Sequence, residues 1–291
     1  MVISQIIGGM GNQMFQYAVG RALALSKNTT FKVDISAFVS YELRRYELQR
    51  IFRCPVEIAD ASDMREILGC YASPIIRKIV ARLKLPILRS RKFVVEPHFY
   101  YWPGINQLPQ DCYLVGYWQS EKYFRDVATE IRADFTFLTP MSGLNVDIAS
   151  QISRVNAVSL HVRRGDYVSN PMTNATHGLC SLDYYKAAIR HVAERIENPH
   201  FFIFSDDMAW VKERLGMDFP CQHIEHNKGD ESYNDMRLMS LCQHHIIANS
   251  SFSWWGAWLN PNPDKIVVAP KQWFANDNNV EDLFPQSWVA L

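Results

Sequence analysis

The stretch from Val2 to Asp34, VISQIIGGMGNQMFQYAVGRALALSKNTTFKVD, decides how the rest of the chain is read. An apolar run, Val2 to Ile7, meets a glycine-rich turn, GGMGNQ, followed by a helix-like segment from about Asn12 to Ser26. The run FKVD, Phe31 to Asp34, reads as a second strand. Strand, turn, helix and strand form a βαβ unit, which makes the strands parallel. Outward from it, SDMREILGC (Ser62 to Cys70) has helical spacing, while KFVVE (Lys92 to Glu96) and CYLVGY (Cys112 to Tyr117) look like strands. EKYFRDVATEIRADF, Glu121 to Phe135, is expected to be one helix. The breaker cluster Thr139 to Gly143 marks a linker, dividing the chain into residues 1–140 and 141–291.

The second half alternates more regularly. Strand-like runs are Ala157 to Val162, Phe201 to Phe204, Cys221 to Glu225, His245 to Ala248 and Lys265 to Ala269. Ser181 is placed to cap a helix along which Leu182, Tyr185, Ile189, Val192 and Ile196 recur at helical spacing. Further helices are expected near Asp207 to Leu215, Glu231 to Cys242 and Phe252 to Leu259. Both halves are therefore α/β, and the second is a doubly wound parallel sheet.

Composition excludes several classes. The chain has 291 residues, 48% hydrophobic and 21% charged, with zero formal net charge, so disorder and a broad nucleic-acid-binding face are both excluded. The six cysteines, Cys54, Cys70, Cys112, Cys180, Cys221 and Cys242, form no C-x-x-C pair, which suggests a reducing compartment. The opening residues lack a secretory signal, and no run approaches the ~18 apolar residues of a spanning helix. A cytoplasmic protein is expected. Between Glu66 and Glu96 there is no acid, while Arg77, Lys78, Arg82, Lys84, Arg89, Arg91 and Lys92 alternate with Ile75, Ile76, Ile79, Val80, Leu83 and Ile87. This basic amphipathic segment, 75–92, is either a helix packed by its apolar side or a peripheral contact with the inner face of a membrane.

In a doubly wound sheet, ligands bind beyond the carboxyl ends of the strands. Those ends carry Arg163-Arg164-Gly165-Asp166, Ser205-Asp206-Asp207, His226-Asn227 and Asn249-Ser250-Ser251. Ser205 and Ser250 could each simply cap a helix. Guanidiniums beside a helix N-terminus, however, suit a phosphate or diphosphate. Arg164-Gly165-Asp166 also spells an adhesion tripeptide, but it follows an apolar run that reads as a buried strand, not as an exposed loop.

Together, GGMGNQMFQYAVGRALA, GYWQSEKYF, HVRRGDY, FSDD and IIANSSFSWWGAWL resemble the bacterial α-1,2-fucosyltransferases of glycosyltransferase family 11. The resemblance implies a GT-B fold of two Rossmann-like domains with a cleft between them. It implies transfer of L-fucose from GDP-fucose to the 2-hydroxyl of a terminal β-galactosyl residue, with inversion and without a metal. It further implies that Arg163 clamps the β-phosphate with help from Arg164, and that His161 and Asp235 read the guanine. Asn249, Ser250, Ser251 and Phe252 would hold the diphosphate, and Asp206 and Asp207 would line the nucleoside pocket. Gly9, Gly11, Asn12 and Gln13 would belong to the N-terminal loop that closes over phosphate and sugar.

The residues agree on the metal: the chain contains no D-x-D. His223 with His226, and the adjacent His244 and His245, read as polar surface histidines. The cationic role falls to the arginines. Asp166 is the acid best placed to take the acceptor's proton, or else it orients Arg163 or Arg164 by a salt bridge. Tyr117, Trp118, Tyr101 and Trp102 could stack on an acceptor sugar. A dinucleotide fingerprint at Gly9 and Gly11, with Asp34 as the ribose acid, is the competing reading. Met14 occupies its third glycine position, and it leaves the arginines unexplained.

Overall fold

The structure, a computed structural model, describes all residues except 41–44, 74–75, 77–90, 166–167, 169–174, 177 and 276–278. Asp166 and most of the basic segment 75–92 therefore lie outside the described residues. The chain forms two compact units: Met1–Leu138 with Asn279–Leu283, and Thr139–Asn278 with Phe284–Leu291.

The first unit is built on β1 (Val2–Gln5), α1 (Met10–Ser26), β2 (Phe31–Asp34), β3 (Glu57–Ile58), α2 (Ala61–Leu68), β4 (Phe93–Val95) and β5 (Cys112–Val115). Its five strands are all parallel, in the order β3-β2-β1-β5-β4. Ile3, Phe93 and Tyr113 pack against Met64, Ile67 and Leu68 of α2 on one face. The single helix expected over Glu121–Phe135 is instead two 3-10 turns, Glu121–Tyr123 and Arg125–Val127, followed by α3 (Ala128–Asp134). Tertiary contacts hold its start away from a helical path. The Tyr123 hydroxyl accepts the Trp102 N–H at 2.9 Å, and Lys122 is paired with Asp282.

Asp282 also explains why 141–291 is not one continuous unit. It accepts the Tyr101 N–H at 3.0 Å, and its carbonyl accepts the Ser120 hydroxyl at 2.6 Å. Residues 279–283 thus belong with the first unit.

The second unit comprises α4 (Leu144–Ile152), β6 (Asn156–Val162), α5 (Leu182–Ala193), β7 (Pro199–Ser205), α6 (Met208–Arg214), β8 (Cys221–Ile224), α7 (Tyr233–Leu241), β9 (His244–Ile246), α8 (Ser251–Leu259), β10 (Val267–Ala269) and β11 (Val289–Ala290). The parallel sheet runs β11-β10-β9-β6-β7-β8. Strand β7 shows why these segments are apolar throughout: Phe201 and Ile203 enter the core with Tyr185, Ile189 and Val211, while Phe202 and Phe204 enter another with Ile148, Leu238 and Met239. A sheet covered on both faces needs both alternating sets of side chains. Ser181 caps α5 as expected, accepting the Tyr184 N–H at 3.1 Å.

His245 corrects the reading of surface histidines. It is fully buried between Ser159 Oγ at 2.8 Å and Asn260 Nδ2 at 2.9 Å, and burial drives its imidazole well below the ordinary value. Among the described residues no helix is long and apolar enough to cross a membrane.

Candidate functional site

In the second sheet the strand order reverses direction between β6 and β9. That topological switch is where the carboxyl end of such a sheet opens to a ligand. Parallel pairing of β6 with β7 sets His161 beside Phe204 and Val162 beside Ser205. The residues that follow, 163–164 and 206–207, therefore come abreast. Arg163 Nη1 lies 2.7 Å from Asp206 Oδ2, and Arg164 Nε lies 3.1 Å from Asp207 Oδ2. The other oxygen of Asp206 accepts the Arg164 backbone N–H at 2.8 Å. The other oxygen of Asp207 caps α6 through the Trp210 N–H at 3.2 Å. The Arg164 guanidinium lies 4.1 Å from the centroid of the Trp210 ring.

Both arginines are thus held in place by protein groups. The resemblance implies that Asp206 and Asp207 line a nucleoside pocket; in the structure their carboxylates engage the arginines, the orienting role considered for Asp166. Gly165 makes this possible, because a Cβ there would stand 2.4 Å from Asp206 Oδ2. The adhesion reading fails at Arg164, whose side chain is only 17% exposed and is engaged by Asp207 and Trp210.

His161, at the end of β6, is buried, and its ring faces Phe252 at 5.8 Å. Burial pushes its imidazole down to about 4, with Arg163 acting the same way and Asp206 in opposition. It is neutral at pH 7, and its Nδ1 is buried without a hydrogen-bond partner among the described residues. Across the switch, Ser250 caps α8 by accepting the Phe252 N–H at 3.3 Å. Asn249 is buried, with Nδ2 directed to the Trp273 carbonyl at 3.3 Å and Oδ1 accepting the Cys180 thiol at 3.4 Å. Its side chain braces the loop, and Ser251 and Phe252 are the partly exposed members of this stretch.

Asp235 lies in the first turn of α7 within an amide network that the spacing did not reveal. Asn227 Nδ2 donates to Asp235 Oδ1 at 2.8 Å and to Asn145 Oδ1 at 2.9 Å, and Asn145 Nδ2 returns a bond to Asn227 Oδ1 at 2.9 Å. His226 Nε2 also meets Asn145 Oδ1, at 2.9 Å. Burial raises Asp235 to about 7, against the lowering effect of the Asn227 bond.

The first sheet has its own switch, between β1 and β5. Gly11, Asn12 and Gln13 are in the first turn of α1, not in the loop before it, and Gly9 is the residue at its N-terminus. Gln13 is buried and spent on backbone: its Nε2 donates to the Gly8 and Arg45 carbonyls at 2.9 and 2.8 Å, and its Oε1 accepts the Glu47 N–H at 2.9 Å. Asn12 Oδ1 accepts Gln119 Nε2 at 2.8 Å. No described atom lies within 4 Å of where a Gly9 Cβ would project, so packing does not require that glycine. Asp34 is buried and engaged by the Tyr113 hydroxyl at 2.6 Å and the Ser36 N–H at 2.9 Å. A ribose-binding acid must reach its ligand, which removes the dinucleotide reading's main support.

The four strand ends of the second unit thus gather a guanidinium pair, a neutral histidine, a helix start and a perturbable carboxyl on one edge. Among the described residues, no three His, Cys, Asp or Glu side chains group closely enough to hold a metal ion.

Comparison with known proteins decides the family. Residues 76–291 match the model of Glycosyl transferase family 11. An α-1,2-colitosyltransferase of Escherichia coli is 36% identical over 100% of this chain and 99% of its own length.

The chain belongs to glycosyltransferase family 11.

A second E. coli relative, the O-antigen biosynthesis glycosyltransferase WbnK, is 34% identical over 99% of each chain. Galactoside α-(1,2)-fucosyltransferase 2 of Sus scrofa is 27% identical over 98% of this chain and 78% of its own. In fold, the chain is similar to the α-1,6-fucosyltransferase NodZ soaked with GDP-fucose, with a TM-score of 0.53 and 16% identity over 89% of this chain and 92% of that one. The two parallel-sheet α/β domains are those of a GT-B glycosyltransferase. The family implies a nucleotide-sugar donor and a glycan acceptor.

Proposed function

We propose that this family 11 enzyme transfers L-fucose from GDP-β-L-fucose to the 2-hydroxyl of a terminal β-galactosyl residue, with inversion and without a metal. The observation that carries the reading is the arginine pair at the β6/β9 switch, held by Asp206 and Asp207. Departure of GDP puts negative charge on a phosphate oxygen, and guanidiniums fixed beforehand stabilise it without reorganising. Arg163 is the β-phosphate clamp and Arg164 its neighbour, with the start of α8 presenting the positive end of its dipole and the Ser251 N–H to the same anion. His161 and Asp235 read the guanine: an ionised Asp235 accepts from the ring N–H and the amino group, while the neutral imidazole supplies the unpaired Nδ1. Around Gly9 the open space suits the close approach of a sugar or phosphate.

The α-1,2-colitosyltransferase relative supports a second reading, in which the donor is GDP-colitose. Colitose is fucose without its 3-hydroxyl. A site that hydrogen-bonds that hydroxyl discriminates strongly against the deoxy sugar, whereas an apolar one discriminates weakly. Purified protein incubated with each donor and a panel of β-galactosides, with the product linkage read by NMR, separates the two. Transfer to a position other than the galactosyl 2-hydroxyl would overturn both.

A further inference from the structure

Glu96 stands one residue beyond β4, beside the first unit's switch. Its Oε2 accepts the Tyr117 N–H at 2.7 Å and its Oε1 accepts the Trp118 N–H at 2.9 Å. These donors belong to a turn of unusual backbone, with Gly116 at φ 154° and Trp118 at φ 55°. A Cβ on Gly116 would lie 2.7 Å from Glu96 Oε2 and 3.0 Å from Trp118 Nε1, so carboxylate and indole close around the space that glycine leaves. Trp118 is fully buried, which withdraws it from the aromatics considered for stacking, and its Nε1 has no hydrogen-bond partner. Tyr117, between these two residues, is 41% exposed.

The same turn is tied to the start of α1. Gln16 donates to the Gly116 carbonyl at 3.1 Å and accepts the Ile7 N–H at 2.9 Å. Gln119 Nε2 holds Asn12, while Gln119 Oε1 is buried and unpaired. Two polar atoms and a carboxylate that, among the described residues, have no hydrogen-bond partner and no cation respectively thus lie with an exposed aromatic ring at one switch point, the general location of ligand sites in such sheets.

A carboxylate serving only to hold two N–H groups would be kept ionised by them, because such bonds favour the charged form. Here burial wins, and Glu96 is raised to about 7 despite both bonds. General bases are poised near the working pH in this way. Of the groups around it, burial carries Tyr123 far above that range, and Lys122 is paired with Asp282.

Resting on the glycosyl-transfer reading, we infer that Glu96 is the general base that receives the acceptor hydroxyl's proton, with Tyr117 as the face against which the acceptor sugar lies. As the acceptor oxygen bonds to the anomeric carbon, the bond from that carbon to the diphosphate oxygen breaks and its electron pair leaves with GDP. The acceptor's proton passes to Glu96, which later releases it to water.

The test compares the wild type, Glu96→Gln and Tyr117→Ala with saturating GDP-sugar and a β-galactoside. In Glu96→Gln, kcat falls by about 10²–10⁴, while the Kd for GDP stays within about twofold. In the wild type, kcat rises through one proton step with a midpoint near pH 7, and the step is absent from Glu96→Gln. Tyr117→Ala raises the acceptor KM about tenfold and leaves the donor KM unchanged. Turnover in Glu96→Gln within about threefold of the wild type, with the same pH step, would overturn the assignment. Should glutamine disturb the turn, the wild type decides alone: a kcat independent of pH between about 5.5 and 8.5 overturns it. Failure of the function reading looks different, as no wild-type transfer from either donor despite GDP binding, and it takes both proposals down.

Discussion

The two switch points of this protein occupy equivalent places in two parallel sheets and are furnished in opposite ways. The second unit's is lined by full charges held in pairs, Arg163 with Asp206 and Arg164 with Asp207. The first unit's is lined by amides, glycines and one half-buried carboxyl that has no cation beside it among the described residues. Position in the fold therefore decides where a ligand goes, and the side chains decide which ligand. A diphosphate calls for cations that cannot lose their charge; a sugar hydroxyl calls for neutral hydrogen bonds and a group that can accept a proton.

The contrast breaks most directly at Arg163. Arg163→Ala removes charged hydrogen bonds of about 1.5–3 kcal/mol each, so the Kd for GDP rises about 10–100-fold and transfer falls about 10³-fold. Arg163→Lys stays badly impaired because an ammonium lacks the planar fork. Calorimetry finding near-normal GDP affinity in the alanine variant would end the assignment.

The next effect sharpens the comparison by pH. Asp235 must be ionised to accept from guanine, so GDP affinity declines as the pH falls below about 7. The same titration in Asp235→Asn, which also loses its preference for GDP over ADP, cancels the protons bound by the diphosphate itself. Stability moves the other way. The folded carboxyl holds its proton more tightly than the unfolded one, so its contribution falls as pH rises from about 4 to about 7. Asp235→Asn should therefore raise the melting temperature more at pH 8 than at pH 5, and equal gains at both would show the burial is not felt. A smaller loss is expected from Gly165→Ala, whose Cβ displaces Asp206 from Arg163 and costs about tenfold in kcat/KM. The smallest effect is that of excess EDTA, expected to change the rate by less than about twofold. A larger loss restored by Mn²⁺ or Mg²⁺ would return the leaving group to a metal.

Much of this was legible in the sequence where local chemistry decides it. Runs such as Ala157 to Val162 can be little but doubly covered strands, and the arginines after them stand out because charge is costly at the end of a buried strand. What escaped depends on register and distant contacts. That Asp206 and Asp207 serve the arginines follows only once β6 and β7 are aligned residue by residue. The helix expected at Glu121 is broken by Tyr123 and Lys122, whose partners, Trp102 and Asp282, are remote in sequence. The resemblance sets Gln13 in the loop that closes over the ligand, whereas the structure makes it a buried brace. Glu96 was visible only as the last letter of KFVVE; an acid closing an apolar strand was the signal, and spacing alone could not say what faced it.

The return of residues 279–283 to the first unit has a consequence for how the protein is made. During synthesis the segment that carries Asp282 emerges some 140 residues after Leu138, when all of the second unit but Phe284–Leu291 has been translated. Until then Tyr101, Ser120 and Lys122 wait without their partner, and the Glu121–Val127 turns lack the anchor that shapes them. The N-terminal half cannot finish folding as it leaves the ribosome, although domains made first usually do. Its final closure is a long-range event, bringing together residues some 160 apart in sequence, of the kind that forms late.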